Sequence, residues 1–299
     1  VDWFYGGKNW PAFVGSSMAT LFIGSMLFLT NKGSTTEHLE LRQAFLLTNS
    51  AWISIALFGS LPFLLSDIDM GFIDAFFEST SGITTTGATV IESLETKSHG
   101  ILIWRALLQW LGGVGIIVMA LAVLPMLSIG GMQLFKTESY ETPDKVVPKA
   151  ASFAAGISIV YITLTIVWAF MLWGAGMSIF DSIAHAMTTL ATGGYSTKSE
   201  SLAAFNSSTI EIIIIFGMLV GSLPFVHYLT ITKNGIKNLI KDDQVKLFLT
   251  LVFFVVLIMS LYLSSNNIPY LEALRLASFN VISIITGTGF GTSDFNNWG

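Results

Sequence analysis

Three stretches rich in glycine and threonine hold the residues of this sequence that are best suited to binding an ion. Each follows a short, mostly apolar segment, and their key glycines are Gly87, Gly194 and Gly289. Glycine adopts positive φ angles without steric penalty, which lets successive backbone carbonyls face the same side. A ring of such carbonyls can replace the hydration shell of a potassium ion. The repetition of one pattern at three places favours an ion path over an ordinary polar loop.

The predicted ligands are the residues at and beside the key glycines. Backbone carbonyls supply most of the oxygens, and threonine hydroxyls support the turn or add an oxygen. The nine predicted potassium ligands are Thr85, Thr86, Gly87, Thr192, Gly193, Gly194, Gly287, Thr288 and Gly289. No other metal and no cofactor is expected, because the chain has no cysteine and its four histidines lack a zinc-binding spacing.

A polar residue stands nine positions before each key glycine: Glu78, His185 and Asn280. The Thr/Gly stretches are predicted to form the selectivity filter, and we interpret these three residues as filter supports that bond to the backbone behind it. An alternative for Glu78 is that its charge lends negative potential to the outer mouth. Two positions after the key glycine, the third stretch has Gly291 where the others have Ser or Thr. The third stretch is therefore predicted to be held more loosely.

The apolar segments before the glycines are predicted to be half-helices, at 72–83, 179–190 and 270–285. They are too short to cross a bilayer, which takes about 20 residues as helix. Irregular backbone at membrane depth is tolerated where protein buries it or where it lines a water-filled cavity. Each half-helix and the residues after it therefore predict a re-entrant loop. We name the residues after the half-helices the first, second and third Thr/Gly segments, at 84–89, 191–196 and 286–291.

Long apolar runs frame these loops. The chain has 299 residues, 53% hydrophobic and 11% charged, against about a quarter charged in soluble domains. The fold class is thus an all-α polytopic membrane protein with repeated span–re-entrant loop–span units, and membrane lipid is its surroundings. The six predicted spans are Pro11–Thr30, Gln43–Ser66, Ala106–Phe135, Ala150–Met177, Ile212–Ile231 and Leu247–Leu263.

The spans and loops divide the chain into one leading segment and three units. Residues 1–40 are predicted to form a leading segment with one span, and 41–135 are predicted to form the first pore repeat. Residues 136–232 form the second repeat, and 233–299 form a third that lacks its closing span. Gly217 and Gly221 fit a small-xxx-small pattern and are predicted to pack against a neighbouring span rather than to form a dimer contact.

The basic residues indicate an orientation. Lys and Arg favour the cytoplasmic side, and the side that carries most of them is predicted to be inside. The residues on that side are Lys32, Arg42, Lys136, Lys145, Lys149, Lys233, Lys237, Lys241 and Lys246. Arg105 begins a span at the outer face and is interpreted as an interfacial anchor. The net charge of −5 argues against nucleic acid as a partner.

Three further motifs carry a resemblance to a known family: Gln109–Val118 at the start of the third span, Leu124–Leu134 at its end, and Phe225–Tyr228. With the three loops, they resemble the Trk/Ktr/HKT superfamily of potassium transporters, and within it the pore-forming TrkH subunits of bacteria. The resemblance extends over nearly the whole chain.

The resemblance implies that residues 1–40 are an N-terminal hairpin remnant and that four non-identical repeats surround one ion path. It also implies a homodimer in the bacterial inner membrane and a cytosolic nucleotide-binding regulatory subunit of the TrkA or KtrA type. In plant relatives a serine at the first key glycine accompanies sodium transport, so Gly87 favours potassium. This sequence carries three of the four repeats. We therefore expect a chain truncated before the fourth repeat, which should not conduct selectively by itself.

The predicted function is potassium uptake, driven by the membrane potential and gated by the regulatory partner. The six predicted spans contain no carboxylate that would relay protons or sodium. Two alternatives stay open: a non-conducting fragment or assembly partner, and a secondary transporter of another cation such as sodium. An enzyme is not expected, since the spans hold no paired Asp and no catalytic set that combines Ser with His.

Overall fold

All regular structure in the described residues is helical, as the sequence predicts. The structure is a computed structural model, and it describes residues 1–33, 41–127, 146–235, 239, 241–293 and 298. Side chains are described up to residue 116 in the third span and again from residue 154.

Eleven α-helices lie in the described ranges, along with 3-10 turns at Leu94–Thr96 and Ser201–Phe205. In chain order the helices are α1 Trp10–Thr30, α2 Leu41–Gly59, α3 Leu61–Leu65, α4 Phe72–Ile83, α5 His99–Leu127, α6 Val146–Gly174, α7 Ile179–Leu190, α8 Ser208–Ser222, α9 Phe225–Asn234, α10 Asp243–Ser265 and α11 Tyr270–Ile285.

Four apolar stretches of helix in the described chain are long enough to cross a membrane: Trp10–Thr30, Phe45–Leu65, Ala154–Gly174 and Asp243–Ser265. They match four of the six predicted spans. The predicted third span, Ala106–Phe135, corresponds to the 29-residue helix α5, and its end beyond Leu127 lies outside the described residues. The chain is therefore a multi-pass membrane protein.

The predicted span Ile212–Ile231 is wrong as a continuous helix, because the structure has α8 and α9 there with a break between them. Leu223 is extended, with φ −78° and ψ 150°. Pro224 follows, and a residue before proline is pushed out of the α region. The Tyr228 hydroxyl donates to the Val220 carbonyl at 2.7 Å, which satisfies an acceptor at the broken end of α8.

The short helices α4, α7 and α11 have the bounds given above for the half-helices, with 12, 12 and 16 residues. An acidic residue lies in the first turn of each: Asp74, Asp181 and Glu272. A negative charge near the N-terminus of a helix interacts favourably with the helix dipole. Ser178 caps α7 by accepting from the Asp181 backbone N–H at 3.0 Å. Each helix ends where its Thr/Gly segment begins.

Glycines let the helices approach closely around the half-helices. A side chain at Gly217 would meet Trp168 of α6, and one at Gly221 would meet the backbone of Leu190 in α7. Gly217 therefore packs against a span as predicted and also against Thr189 of the half-helix α7, which Gly221 contacts as well. Small residues at helix contacts are typical of membrane proteins, where close backbone approach supplies van der Waals contact.

Candidate ion-binding site

The three Thr/Gly segments share one backbone pattern. In each, the key glycine and the residue two positions before it have positive φ, and the residue between them does not. The positive angles are Thr85 57° and Gly87 82°, Thr192 49° and Gly194 74°, and Gly287 74° and Gly289 85°. Alternation in the sign of φ turns successive carbonyls toward the same side of the chain, and glycine makes this geometry accessible.

The segments lie side by side in chain order. A Cβ atom added to Gly87 would overlap the carbonyl oxygen of Gly193, and one added to Gly194 would overlap that of Thr288. The first segment therefore touches the second, and the second touches the third, through equivalent positions. A Cβ at Gly289 would meet no described atom within 4 Å.

Most carbonyl oxygens of the nine predicted ligands accept no hydrogen bond from the described residues. The exception is Gly193, whose oxygen accepts from Gln109 Nε2 at 2.6 Å. Thr288 is fully buried, so its carbonyl is removed from bulk water as well. Buried carbonyls are nearly always paired, and unpaired ones facing one side can pair with a cation instead.

Hydrogen bonds on the opposite side tie each segment to its own half-helix. The backbone N–H groups of Thr86, Gly193 and Thr288 donate to carbonyls five residues earlier, each at 2.9 Å. Two serine hydroxyls add a second tie: Ser81 donates to the Ala88 carbonyl at 2.6 Å, and Ser283 to that of Phe290 at 2.7 Å. The acceptors in all of these bonds are carbonyls other than those of the nine predicted ligands.

The polar residues nine positions before the key glycines are fully buried, and they contact the chain just after each segment's key glycine. Glu78 accepts from the Thr89 hydroxyl at 2.9 Å and from the Val90 backbone N–H at 3.0 Å. His185 Nε2 lies 2.9 Å from the Ser196 hydroxyl. His185 Nδ1 is 2.8 Å from the Asp181 carbonyl. A carbonyl only accepts, so Nδ1 carries a proton, and in the neutral imidazole Nε2 then accepts from Ser196.

The third copy of this contact falls one residue later. Asn280 Nδ2 donates to the Thr292 hydroxyl at 3.0 Å, and its Oδ1 accepts from the Thr292 backbone N–H at 3.3 Å. Gly291 is held from outside: it donates to the Ser201 hydroxyl at 3.2 Å, and its carbonyl accepts from the Leu202 N–H at 3.1 Å. A neighbouring loop thus bonds to Gly291 at the position where the other two segments carry a hydroxyl side chain.

Arg105 is not an interfacial anchor, since its side chain is only 1% exposed. Its Nε lies 2.7 Å from Glu78 Oε1, and one terminal nitrogen donates to the Ser196 carbonyl at 3.0 Å. The guanidinium also lies 4.0 Å from the centre of the Tyr195 ring. The buried partner neutralises Glu78, which argues against the alternative that Glu78 lends charge to the outer mouth. Sequence reasoning missed the pair, although a lone arginine in an apolar run calls for a partner.

A second buried acid lies at the start of α8. Glu211 is 6% exposed, and its Oε1 lies 3.4 Å from an Arg275 nitrogen in α11. The predicted span began one residue later, so the expectation that the spans contain no carboxylate is wrong for this helix. Arg275 also donates to the Ser208 hydroxyl at 2.9 Å. This pair joins α8 to the third half-helix, and Glu211 Oε2 is buried without a hydrogen-bond partner among the described residues.

The loops after the first two Thr/Gly segments are linked through Glu95 and Ser199. The Ser199 hydroxyl and backbone N–H both donate to the Glu95 carboxylate at 2.7 Å. The Leu94 N–H in turn donates to the Ser199 hydroxyl at 3.0 Å. The Ser199 hydroxyl, then the Ser199 N–H, lowers the pKa of Glu95 below its ordinary value of 4.5. Both donors favour the ionised carboxylate.

We expect this link to weaken in acid. A carboxyl whose pKa is lowered by folding adds stability above its ordinary value, and the added stability is lost as pH falls through the folded value. The thermal midpoint of Ser199→Ala should therefore lie below that of the unchanged chain at neutral pH. The two midpoints should converge as the pH falls below 4.5.

Thr96→Val is the matched control for this titration, because among the described residues the Thr96 hydroxyl bonds only within its own turn, to the Ser93 carbonyl. The difference in thermal midpoint between Thr96→Val and the unchanged chain should not vary with pH. A Ser199→Ala difference that stays constant over the same titration would contradict the assignment of the link to ionised Glu95.

The described residues contain no group of three His, Asp or Glu side chains placed to hold a metal ion. The three Thr/Gly segments instead bring backbone carbonyl oxygens of a helical membrane protein next to one another. This arrangement defines a class of protein: a multi-pass membrane protein with re-entrant loops that meet side by side.

The chain belongs to the TrkH family, whose model is described as a cation transport protein and matches residues 10–299. It is 39% identical over 259 residues to "Trk system potassium uptake protein TrkI" of Halomonas elongata, covering 86% of this chain and 52% of the relative. It is 38% identical over 293 residues to "Trk system potassium uptake protein TrkH" of Escherichia coli K12, covering 96% and 60%. Membership in a transport family confirms that the chain is not an enzyme.

A solved structure has the same fold. The crystal structure of the potassium transporter TrkH from Vibrio parahaemolyticus superposes with a TM-score of 0.91 at 35% identity. The match covers 100% of this chain and 62% of that one. The chain thus spans less than two thirds of the length of these relatives.

Proposed function

We propose that this chain forms most of a potassium-selective path for uptake across the bacterial inner membrane. The observation that carries the proposal is the three adjacent Thr/Gly segments, whose carbonyls mostly accept no hydrogen bond from described residues. Their shared alternation in φ directs several carbonyls to one side, as a dehydrated cation requires. The names of the relatives, which specify potassium uptake, support potassium as the ion.

The half-helices contribute to ion binding through their orientation. The C-terminal ends of α4, α7 and α11 lead directly into the Thr/Gly segments. A helix carries about half a negative charge at that end, so three such ends favour a cation between the segments. The ligands are the carbonyls of the nine predicted residues, with Gly193 sharing its oxygen between an ion and Gln109. A carbonyl oxygen has two lone pairs, which permits both contacts.

The driving force in this proposal is the membrane potential. A potential of 100 mV supplies about 2.3 kcal/mol per charge, which at about 1.4 kcal/mol per tenfold concentrates an ion roughly 50-fold. The fully buried acid Glu78 lies 2.7 Å from the guanidinium of Arg105, so it is not suited to carry a proton or sodium ion. Uptake therefore needs no obligatory coupling to a second ion.

The remaining parts of the proposed assembly come from outside this chain. The chain covers 52% to 62% of the compared relatives, and we propose that a fourth segment from the rest of the transporter lies beside Gly289. We further propose that the protein is a homodimer. A cytosolic nucleotide-binding regulatory subunit of the TrkA or KtrA type gates the ion path from the side that carries most of the lysine and arginine residues.

The proposal is tested by potassium-limited growth of a bacterium that lacks its own uptake systems. The cells carry either this chain alone or the chain joined to the remaining part of the Vibrio parahaemolyticus TrkH. We expect the joined protein to restore growth. Growth restored by neither, with both proteins present in the membrane, would overturn the proposal in favour of an assembly partner. Growth that depends on sodium would favour a transporter of that cation.

A further inference from the structure

Gln109 is a fully buried side chain of α5 that contacts the second Thr/Gly segment rather than the first. Its Nε2 donates to the Gly193 carbonyl at 2.6 Å, and its Oε1 accepts from the Tyr195 backbone N–H at 3.0 Å. The two bonds therefore lie on either side of Gly194. One side-chain amide holds the two peptide groups that flank the key glycine.

The direction of this amide follows from its partners. A backbone N–H only donates, and a carbonyl only accepts. Oε1 must therefore face Tyr195, and Nε2 must face Gly193. Both polar atoms of the side chain are used in a site without water access, where an unpaired amide would be costly. The Gly193–Gly194 peptide is consequently held in one orientation, with Gly194 at φ 74°.

The Gly193 carbonyl oxygen also forms the junction between the first two segments. It lies against Gly87, since a Cβ there would overlap it. At the equivalent junction between the second and third segments, the Thr288 carbonyl lies against Gly194. Among the described residues, no side chain donates to that second oxygen. Gln109 thus fixes one junction of the ring, whereas the next depends on backbone packing alone.

We propose that Gln109 is a specificity-determining positioning residue, which sets the spacing of the carbonyl oxygens that the second segment presents to the ion. The inference rests on the proposed function. Discrimination between potassium and the smaller sodium ion depends on where the coordinating carbonyls are held. Without the Gln109 amide, the Gly193–Gly194 peptide is free to turn and to follow a smaller ion. Loss of the Gln109 amide should lower the preference for potassium over sodium more than it lowers the rate of transport.

Gln109→Met tests this directly, because methionine keeps the length of the side chain and removes both hydrogen bonds. The measurement is rubidium uptake by the joined transporter, with increasing sodium as competitor. We expect the preference for rubidium over sodium to fall about tenfold, which corresponds to about 1.4 kcal/mol. The maximal rate per transporter in the membrane should change much less. A residue with a purely structural role would lower the rate and leave the ratio unchanged.

Trp110→Phe is the matched control. It removes a hydrogen bond of the neighbouring α5 residue, from Trp110 Nε1 to Thr165 at 2.9 Å, which joins α5 to α6 without reaching a Thr/Gly segment. Its preference for rubidium should equal that of the unchanged protein. An unchanged preference in Gln109→Met, with uptake intact, would overturn the inference and leave the proposed function standing.

A second variant covers the case in which Gln109→Met does not reach the membrane. Gln109→Glu keeps the side-chain length and an acceptor for the Tyr195 N–H, and its preference should lie between those of the unchanged and Met proteins. A preference equal to that of the unchanged protein would contradict the role of the donor to Gly193. Absence of uptake in the unchanged joined transporter would instead overturn the proposed function, and with it this inference.

Discussion

Replacing Gly194 with alanine is expected to abolish potassium uptake while leaving the protein in the membrane. Two effects act together at this position. The residue has φ 74°, which disfavours any side chain. The added Cβ would also overlap the carbonyl oxygen of Thr288, a backbone atom that cannot move without displacing the third segment. We expect rubidium uptake by the joined transporter to fall more than about 100-fold, or about 2.7 kcal/mol.

Gly6→Ala separates backbone strain from the effect on the Thr/Gly segments. Gly6 has a similar φ of 71°, and a Cβ there would meet nothing within 4 Å. This control should keep its uptake. If Gly194→Ala transports rubidium at the same rate as the control, the contact between the second and third segments does not form part of the ion path.

Arg105→Met is expected to lower the stability of the chain by about 3 to 5 kcal/mol, because it leaves one charge of a buried pair without its partner. Glu78 is fully buried and faces Arg105 at 2.7 Å, so its carboxylate would lose its counter-charge. The Ser196 carbonyl would lose a donor as well. The measurement is the temperature at which half of the detergent-solubilised protein is lost from its monodisperse chromatographic peak.

Two further variants test this explanation. The double variant with Glu78→Gln and Arg105→Met removes both charges and should recover part of the decrease in midpoint temperature. Lys246→Met breaks an exposed pair, with Asp243 at 2.9 Å and side chains 55% and 96% exposed, and such pairs contribute little. Equal midpoint temperatures for Arg105→Met and Lys246→Met would show that the buried Glu78–Arg105 pair contributes no more to stability than the exposed pair does.

The half-helices were predictable because their signals are local. An acidic first turn, a short apolar run and a following glycine define α4 and α7 within a dozen or so residues of sequence. Repetition of the pattern then placed α11, despite its weaker match. The break between α8 and α9 was missed for the opposite reason. The apolar run continues through Pro224, and hydropathy alone does not distinguish one helix from two.

The contacts that hold the Thr/Gly segments were only partly predictable. Glu78, His185 and Asn280 lie 11 or 12 residues from the groups they contact, so an equivalent position in each repeat pointed to them. Arg105 and Gln109 contact the next repeat, 91 and 84 residues away. No spacing within one repeat reveals such a partner, and the shape of the packed helices decides it.

The order of synthesis matters for the second Thr/Gly segment, because its supports are made first. At about 5 to 20 residues per second, Arg105 and Gln109 leave the ribosome roughly 4 to 20 seconds before the carbonyl groups that they hold. The donors can therefore be in the bilayer on α5 when the second loop inserts. The first repeat in this way offers a template to the second.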